Sequence, residues 1–114
     1  MSLLSEITAV EKTYNLPVET GVFSGIPPES YIVLTPISDG LTLDADNEPN
    51  AEVQEVRLSL FTKGNYNSIK NTLTRAFLDA DITVTDRRYI GHEDDTKYHH
   101  YAIDLAKFYE WRNE

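Results

Sequence analysis

Residues 52 to 64, EVQEVRLSLFTKG, constrain the fold more than any other stretch of this chain. Val56, Leu58 and Leu60 point one way while Arg57 and Ser59 point the other, the pattern of a half-buried antiparallel strand. Such a strand needs a cover on its apolar face, and the next segment supplies one. Asn65 is placed to cap a helix running to about Ala80, with Ile69, Leu73, Ala76, Phe77 and Ala80 in one stripe. A helix lying on a sheet follows from these two patterns alone.

The flanking segments extend that unit. Leu3, Ile7, Val10 and Tyr14 recur at helical spacing, Ser2 is placed to cap, and Asn15 and Pro17 to stop, which predicts a short amphipathic helix over 3–14. LPVETGVFSGIPPES is dense in Gly and Pro; it fits a short edge strand from Val18 to Phe23 and a turn at Pro27 and Pro28. YIVLTPI, residues 31 to 37, is a strand that Pro36 restricts to a sheet edge or a bulge at that end. SDGLTLDADNEPNAEVQE follows, acidic at Asp39, Asp44, Asp46, Glu48, Glu52 and Glu55 with no basic residue, and reads as an exposed loop or the tip of a long hairpin. ITVTDRRYIG and KYHHYAIDLAKFYEW are two strands of a second hairpin joined by HEDDT. The expected fold is α+β: an antiparallel sheet of about four strands with two flanking helices, in the order αβββαββ, forming one domain over the 114 residues.

Charge and composition narrow the function. The formal charge of −9 repels phosphate backbones and anionic membranes. Arg57, Lys63, Lys70, Arg75, Arg87 and Arg88 fall in the central and later chain, as solvated faces of strands and helices also would. Neither a membrane partner nor sequence-specific nucleic acid is expected. The start, MSLLSEITAVEK, has no basic leader before an apolar run and carries Glu6 inside it, so neither a signal peptide nor a membrane span is expected. The absence of cysteine removes disulfides, thiolate metal sites and thiol nucleophiles.

All three histidines lie in YIGHEDDTKYHHYAIDL, which raises the question of a metal or acid-base site. His99 and His100 are adjacent on a strand, point to opposite faces and cannot both ligate one ion; His92 lies across the turn and can meet only one of them. His99 shares a face with Tyr101, Ile103 and Leu105, the core side, and His100 shares one with Tyr98, Ala102 and Asp104. Glu93, Asp94 and Asp95 read as a solvated hairpin tip. Asp44 and Asp46 could do acid-base work only in a desolvated pocket, which a Pro- and Asn-punctuated loop does not supply. There is no GxSxG, no phosphate-binding Gly-rich loop and no HExxH; Gly64 and Gly91 read as positions before a helix and in a turn. No catalytic residue, metal ligand or cofactor is assigned.

The stretches YIVLTPISD, VQEVRLSLFTKGNY and DRRYIGHEDDTKYHHYAID resemble the small tail-completion or head-tail joining proteins (tail terminator-like) of tailed bacteriophages and prophages of Gram-positive bacteria, over roughly residues 30 to 110. The resemblance implies a structural virion protein without enzymatic activity that caps the tail tube or joins the tail to the head connector. It also implies a homo-oligomer, a hexameric ring in the virion, with tail-tube and head-connector proteins as partners and the host cytoplasm as the place of assembly. The expected partner-binding residues are Asp39, Asp44, Asp46, Glu48, His92, Glu93, Asp94 and Asp95. Two alternatives stay open: a small metal-binding or hydrolytic enzyme using His92, His99 and a carboxylate from Glu93 to Asp95, and an adaptor domain that binds one protein by its sheet edge.

Overall fold

The structure, a computed structural model, describes residues 2–12, 18–20, 30–43 and 49–110. Its elements are α1 (Leu3–Glu11), β1 (Val18–Thr20), β2 (Ser30–Leu43), β3 (Pro49–Thr62), α2 (Tyr66–Asp79), β4 (Thr83–His92) and β5 (His99–Glu110). This is the αβββαββ order of an α+β fold. The strands form one five-stranded sheet in the order β1-β2-β3-β5-β4. β2, β3, β5 and β4 pair antiparallel. The short β1 joins β2 in parallel, with Val18 opposite Ile32 and Thr20 opposite Leu34. The expected turn at Pro27 and Pro28 lies outside the described residues.

Alternation along β3 decides which face becomes the core. Val56, Leu58 and Leu60 are buried with Ile32 and Leu34 of β2 and Tyr101, Ile103 and Leu105 of β5, beneath Leu3 and Ile7 of α1 and Leu73 and Phe77 of α2. Each fully buried side chain of this size contributes about 1.5–3 kcal/mol. α2 begins where the sequence places it: Asn65 caps it by accepting the backbone N–H groups of Asn67 and Ser68. Its end is a Schellman turn. Asp81, at φ 62°, reverses the chain, its N–H donates to the Leu78 carbonyl, and the Ile82 N–H donates to the Phe77 carbonyl while the Ile82 side chain returns to the core. α1 is capped by Ser2 and Ser5 in a reciprocal box and ends at Glu11 with Lys12 as its C-cap. It is shorter than the predicted 3–14; Tyr14, Asn15 and Pro17 lie outside the described residues.

The first hairpin is longer than its composition suggests. β2 continues past Pro36 to Leu43 and stays paired with β3 throughout, from Ser30 opposite Thr62 to Leu43 opposite Pro49. A bulge between Pro36 and Ser38 takes up the irregularity, which is how a strand accommodates a residue without an N–H. Asp39, Glu52 and Glu55 are therefore ladder residues, opposite Gln54, Leu41 and Ser38. Gly91, read as a turn position, lies within β4 opposite His100.

Fourteen residues per strand span about 46 Å, which accounts for the long axis of a molecule measuring 54 × 25 × 22 Å. β4 pairs with β5 only as far as Thr83 opposite Ala106. Beyond that point β2, β3 and the end of β5 continue as a three-stranded arm. α1 lies along it: the Leu3 N–H donates to Gln54 Oε1 at 2.8 Å, Lys107 Nζ to Glu6 Oε1 at 2.7 Å, and the Tyr109 hydroxyl to Glu6 Oε2.

Candidate partner-binding surfaces

Those expected site residues that the structure describes sit at opposite ends of the strands. Asp39 lies on the arm and is exposed; Asp44, Asp46 and Glu48 lie outside the described residues. His92, Glu93, Asp94 and Asp95 occupy the far end, where β4 turns into β5. That turn is closed by backbone bonds between Glu93 and Tyr98, 2.9 Å, and between Lys97 and Glu93, 2.7 Å, with Lys97 at φ 66°. Glu93, Asp94 and Asp95 are exposed, as expected of a solvated tip. Among the described residues, the fold thus does not bring Asp39 together with His92, Glu93, Asp94 and Asp95.

The histidines divide between the two faces of the sheet as strand geometry requires. His92 and His99 are cross-strand partners on the helix side, with ring centroids 4.7 Å apart. His92 Nδ1 is 3.4 Å from Asp94 Oδ1. His99 Nδ1 is 3.0 Å from the Tyr89 hydroxyl, and its ring tilts against Tyr66, the first residue of α2, at 5.2 Å. Tyr66 also stacks on Tyr101, and Lys70 Nζ lies 5.0 Å from the Tyr101 ring centroid. His99 is a hydrogen-bonded residue at the margin of the core, the blander of the readings its sequence position allowed. Among the described residues no group of three His, Asp or Glu is arranged to hold a metal ion.

His100 belongs to the other face, stacked on Phe61 with centroids 4.3 Å apart and planes at 23°. Phe61 stacks in turn on Tyr31 at 4.8 Å, and Tyr98 closes the cluster edge-on, with Lys63 Nζ 5.1 Å from its centroid. Burial holds the His100 imidazole below its usual pKa, opposed by the charge of Glu93 and reinforced by that of Arg57. Its Nε2 is buried without a hydrogen-bond partner. The neutral ring therefore serves as an aromatic surface, and the cluster pins the β2, β3 and β5 ends together.

Farther along this face Arg57 makes a two-pronged pair with Asp104 across β3 and β5, at 2.8 and 3.1 Å. Arg88 Nε bonds Asp86 at 2.8 Å. Sequence reasoning left both arginines as solvated positions. The alternation that turns Arg57 away from the core was legible; its partner 47 residues away was not.

On the arm, Glu6 and Glu11 of α1 have contrasting surroundings. Burial alone would raise the Glu6 carboxyl, but the hydrogen bonds from Lys107 and Tyr109 and the Lys107 charge hold it below the usual range. Glu11 is fully buried with neither oxygen bonded among the described residues, and burial pushes it up to about 7.

No protein-family model and no curated protein matches this chain. One solved chain, which carries no functional name, aligns over 98% of this chain and 89% of its own length at 17% identity with a TM-score of 0.49. A likeness at that level carries no argument about function. Among the described residues no helix is long and apolar enough to cross a membrane.

Proposed function

We propose that the protein is a structural component of a tailed-phage virion that caps the tail tube or joins the tail to the head connector, as a ring and without enzymatic activity. The observation that carries this reading is where the three resembling stretches fall. Residues 31–39, 53–66 and 86–104 lie on β2, on β3 with the start of α2, and on β4 with β5, so they make up one continuous antiparallel sheet with the start of its covering helix. A ring subunit must reach its neighbours on both sides, and an acidic arm extending beyond the part of the sheet that α2 covers suits that task. On this reading the protein works in the host cytoplasm during assembly and in the finished virion, with tail-tube and head-connector proteins as partners.

Deleting the gene from its phage or prophage genome is expected to leave filled heads and separate tails in induced lysates, visible by electron microscopy. Infectious particles in normal numbers from the deletion strain would sink the proposal.

A further inference from the structure

Apart from Phe108, the large apolar side chains that stand exposed among the described residues fall into two groups on opposite edges of the sheet. Ile37 and Leu41 lie on β2, and Leu78, Tyr89 and Ile90 on α2 and β4, each 44% to 49% exposed. β1 pairs with β2 only at Ile32, Val33 and Leu34, so from Thr35 to Leu43 the outer edge of β2 has no neighbouring strand among the described residues. β4 is the other edge strand. Leu78 belongs beside β4, because it follows Asn71 and Thr74 by seven and four residues on the flank of α2 that receives Arg87 Nη1, 3.4 Å from each.

The two apolar groups differ in the sign of the charge that is left without an opposite partner. On the β2 edge Asp39 stands between Ile37 and Leu41, with Glu52 and Glu55 on the adjoining strand. None of these three carboxylates has a basic partner among the described residues; Glu52 and Glu55 accept only from Gln54 and Ser38. On the β4 edge and α2 flank Arg75 and Arg88 are paired with Asp79 and Asp86, and Arg87, on the same face as Tyr89, is the cation of this group without a carboxylate partner among the described residues. Among the described residues Arg87 has only the neutral Asn71 and Thr74 as partners.

We propose that the β2 edge of one copy docks on the β4 edge and α2 flank of the next, apolar centre on apolar centre and carboxylates on arginines. Two β2 edges facing each other would set acid against acid, so the contact is heterologous: it runs head to tail and closes into a ring where the rotation allows. Side chains make the contact. Pro36, the bulge at Ile37 in the β2–β3 pairing and the irregularities at Thr85 and Ile90 in the β4–β5 pairing make both edge strands irregular, devices that discourage indiscriminate strand pairing. The inference rests on the ring reading and adds to it the surfaces that build the ring.

Charge reversal in two separate chains tests it. One chain carries Asp39→Arg and Glu55→Arg; the other carries Arg87→Glu and Arg88→Glu. Under conditions where the parent assembles, free in concentrated solution or on purified tails, each variant alone is expected to associate at least about tenfold more weakly by sedimentation. Their equimolar mixture should recover assembly, because reversed and native edges then alternate around the ring. Thermal unfolding establishes that both chains fold, and Asp39→Asn and Arg87→Gln provide milder versions with the same expected direction. If the variants assemble like the parent, or the mixture fails to recover, this contact is wrong while the ring reading stands. If the parent forms no oligomer in either setting, both fall.

Discussion

The two helices cover the same face of the same sheet and are held there differently. α2 buries Leu73 and Phe77, with Tyr66, Ile69 and Ala80 packed beside them, an apolar stripe along its whole length. α1 buries Leu3 and Ile7, with Leu4 and Val10 packed beside them, and its next fully buried position is Glu11, a carboxyl with no hydrogen-bond partner among the described residues. To its apolar contacts α1 adds the Leu3 bond to Gln54 and the Glu6 bonds to Lys107 and Tyr109. The contrast lies in the buried carboxyl and the ionised ties of α1, which give the two helices different sensitivity to pH.

The sharpest break of this contrast is a charge in the α2 stripe. Leu73→Asp should unfold the domain, since an unpaired charge at a fully buried position costs several kcal/mol, comparable to the roughly 5–15 kcal/mol that stabilises a domain of this kind. Circular dichroism decides the matter: a variant that melts like the parent means that α2 lies in another register.

In α1 the charge is already present, so removing it should help. The folded state holds the Glu11 proton more tightly than the unfolded chain, so the stability that the neutral acid permits is fully present below about pH 4.5 and is lost as pH rises through about 7. Glu11→Leu, which makes the α1 stripe resemble that of α2, is expected to gain roughly 3 kcal/mol above neutrality and to flatten this slope, because each pKa unit is worth about 1.4 kcal/mol. Glu6 acts with the opposite sign: its lowered carboxyl contributes above its ordinary pKa of 4.5, and the contribution is lost as pH falls through the folded value. Glu6→Gln should therefore cost about 1 kcal/mol near neutrality and little in acid. Urea unfolding across pH reads both, and an unchanged slope in Glu11→Leu would overturn the assignment.

The smallest difference lies at the caps. Asn65→Ala removes the acceptor for two backbone donors of α2 and should cost about 1 kcal/mol. Ser2→Ala should cost about half as much, because the first N–H of α1 is already bonded to Gln54. Equal losses in chemical denaturation would show that α1 depends on its cap as α2 does.

What could be seen in the sequence follows the range of the interactions. The β3 alternation, the Asn65 cap, the α2 stripe and the separation of His99 from His100 are local periodicities, and each stands in the structure. The continuation of β2 and β3 to Leu43 and Pro49 could not be read, because Gly40, Pro49 and Asn50 are locally turn formers and only pairing across the hairpin keeps them extended. Glu11 follows Ile7 by four residues and so lies on the inward face, yet a carboxylate is not counted as core in a binary pattern. The Schellman turn at Asp81 was missed because it depends on where Ile82 must go. Of the site, the exposure of Asp39 and of the Glu93–Asp95 tip was legible. The opposition of acidic and basic edges was not, since it exists only once the strand order is known.

The position of β3 between β2 and β5 also bears on how quickly the chain can reach this state. β2 and β3, and β4 and β5, are hairpins that can close early, whereas β3 meets β5 only across separations such as the 47 residues between Arg57 and Asp104. α1 is tied across a longer separation still, 101 residues from Glu6 to Lys107, and is expected to dock late. Lys107→Met should accordingly quicken unfolding in stopped-flow measurements and leave the refolding rate nearly unchanged; slower refolding would place α1 in the nucleus instead. The speed of folding is then set at a seam in the middle of the sheet, and the lifetime of the folded chain by a helix tied to its end.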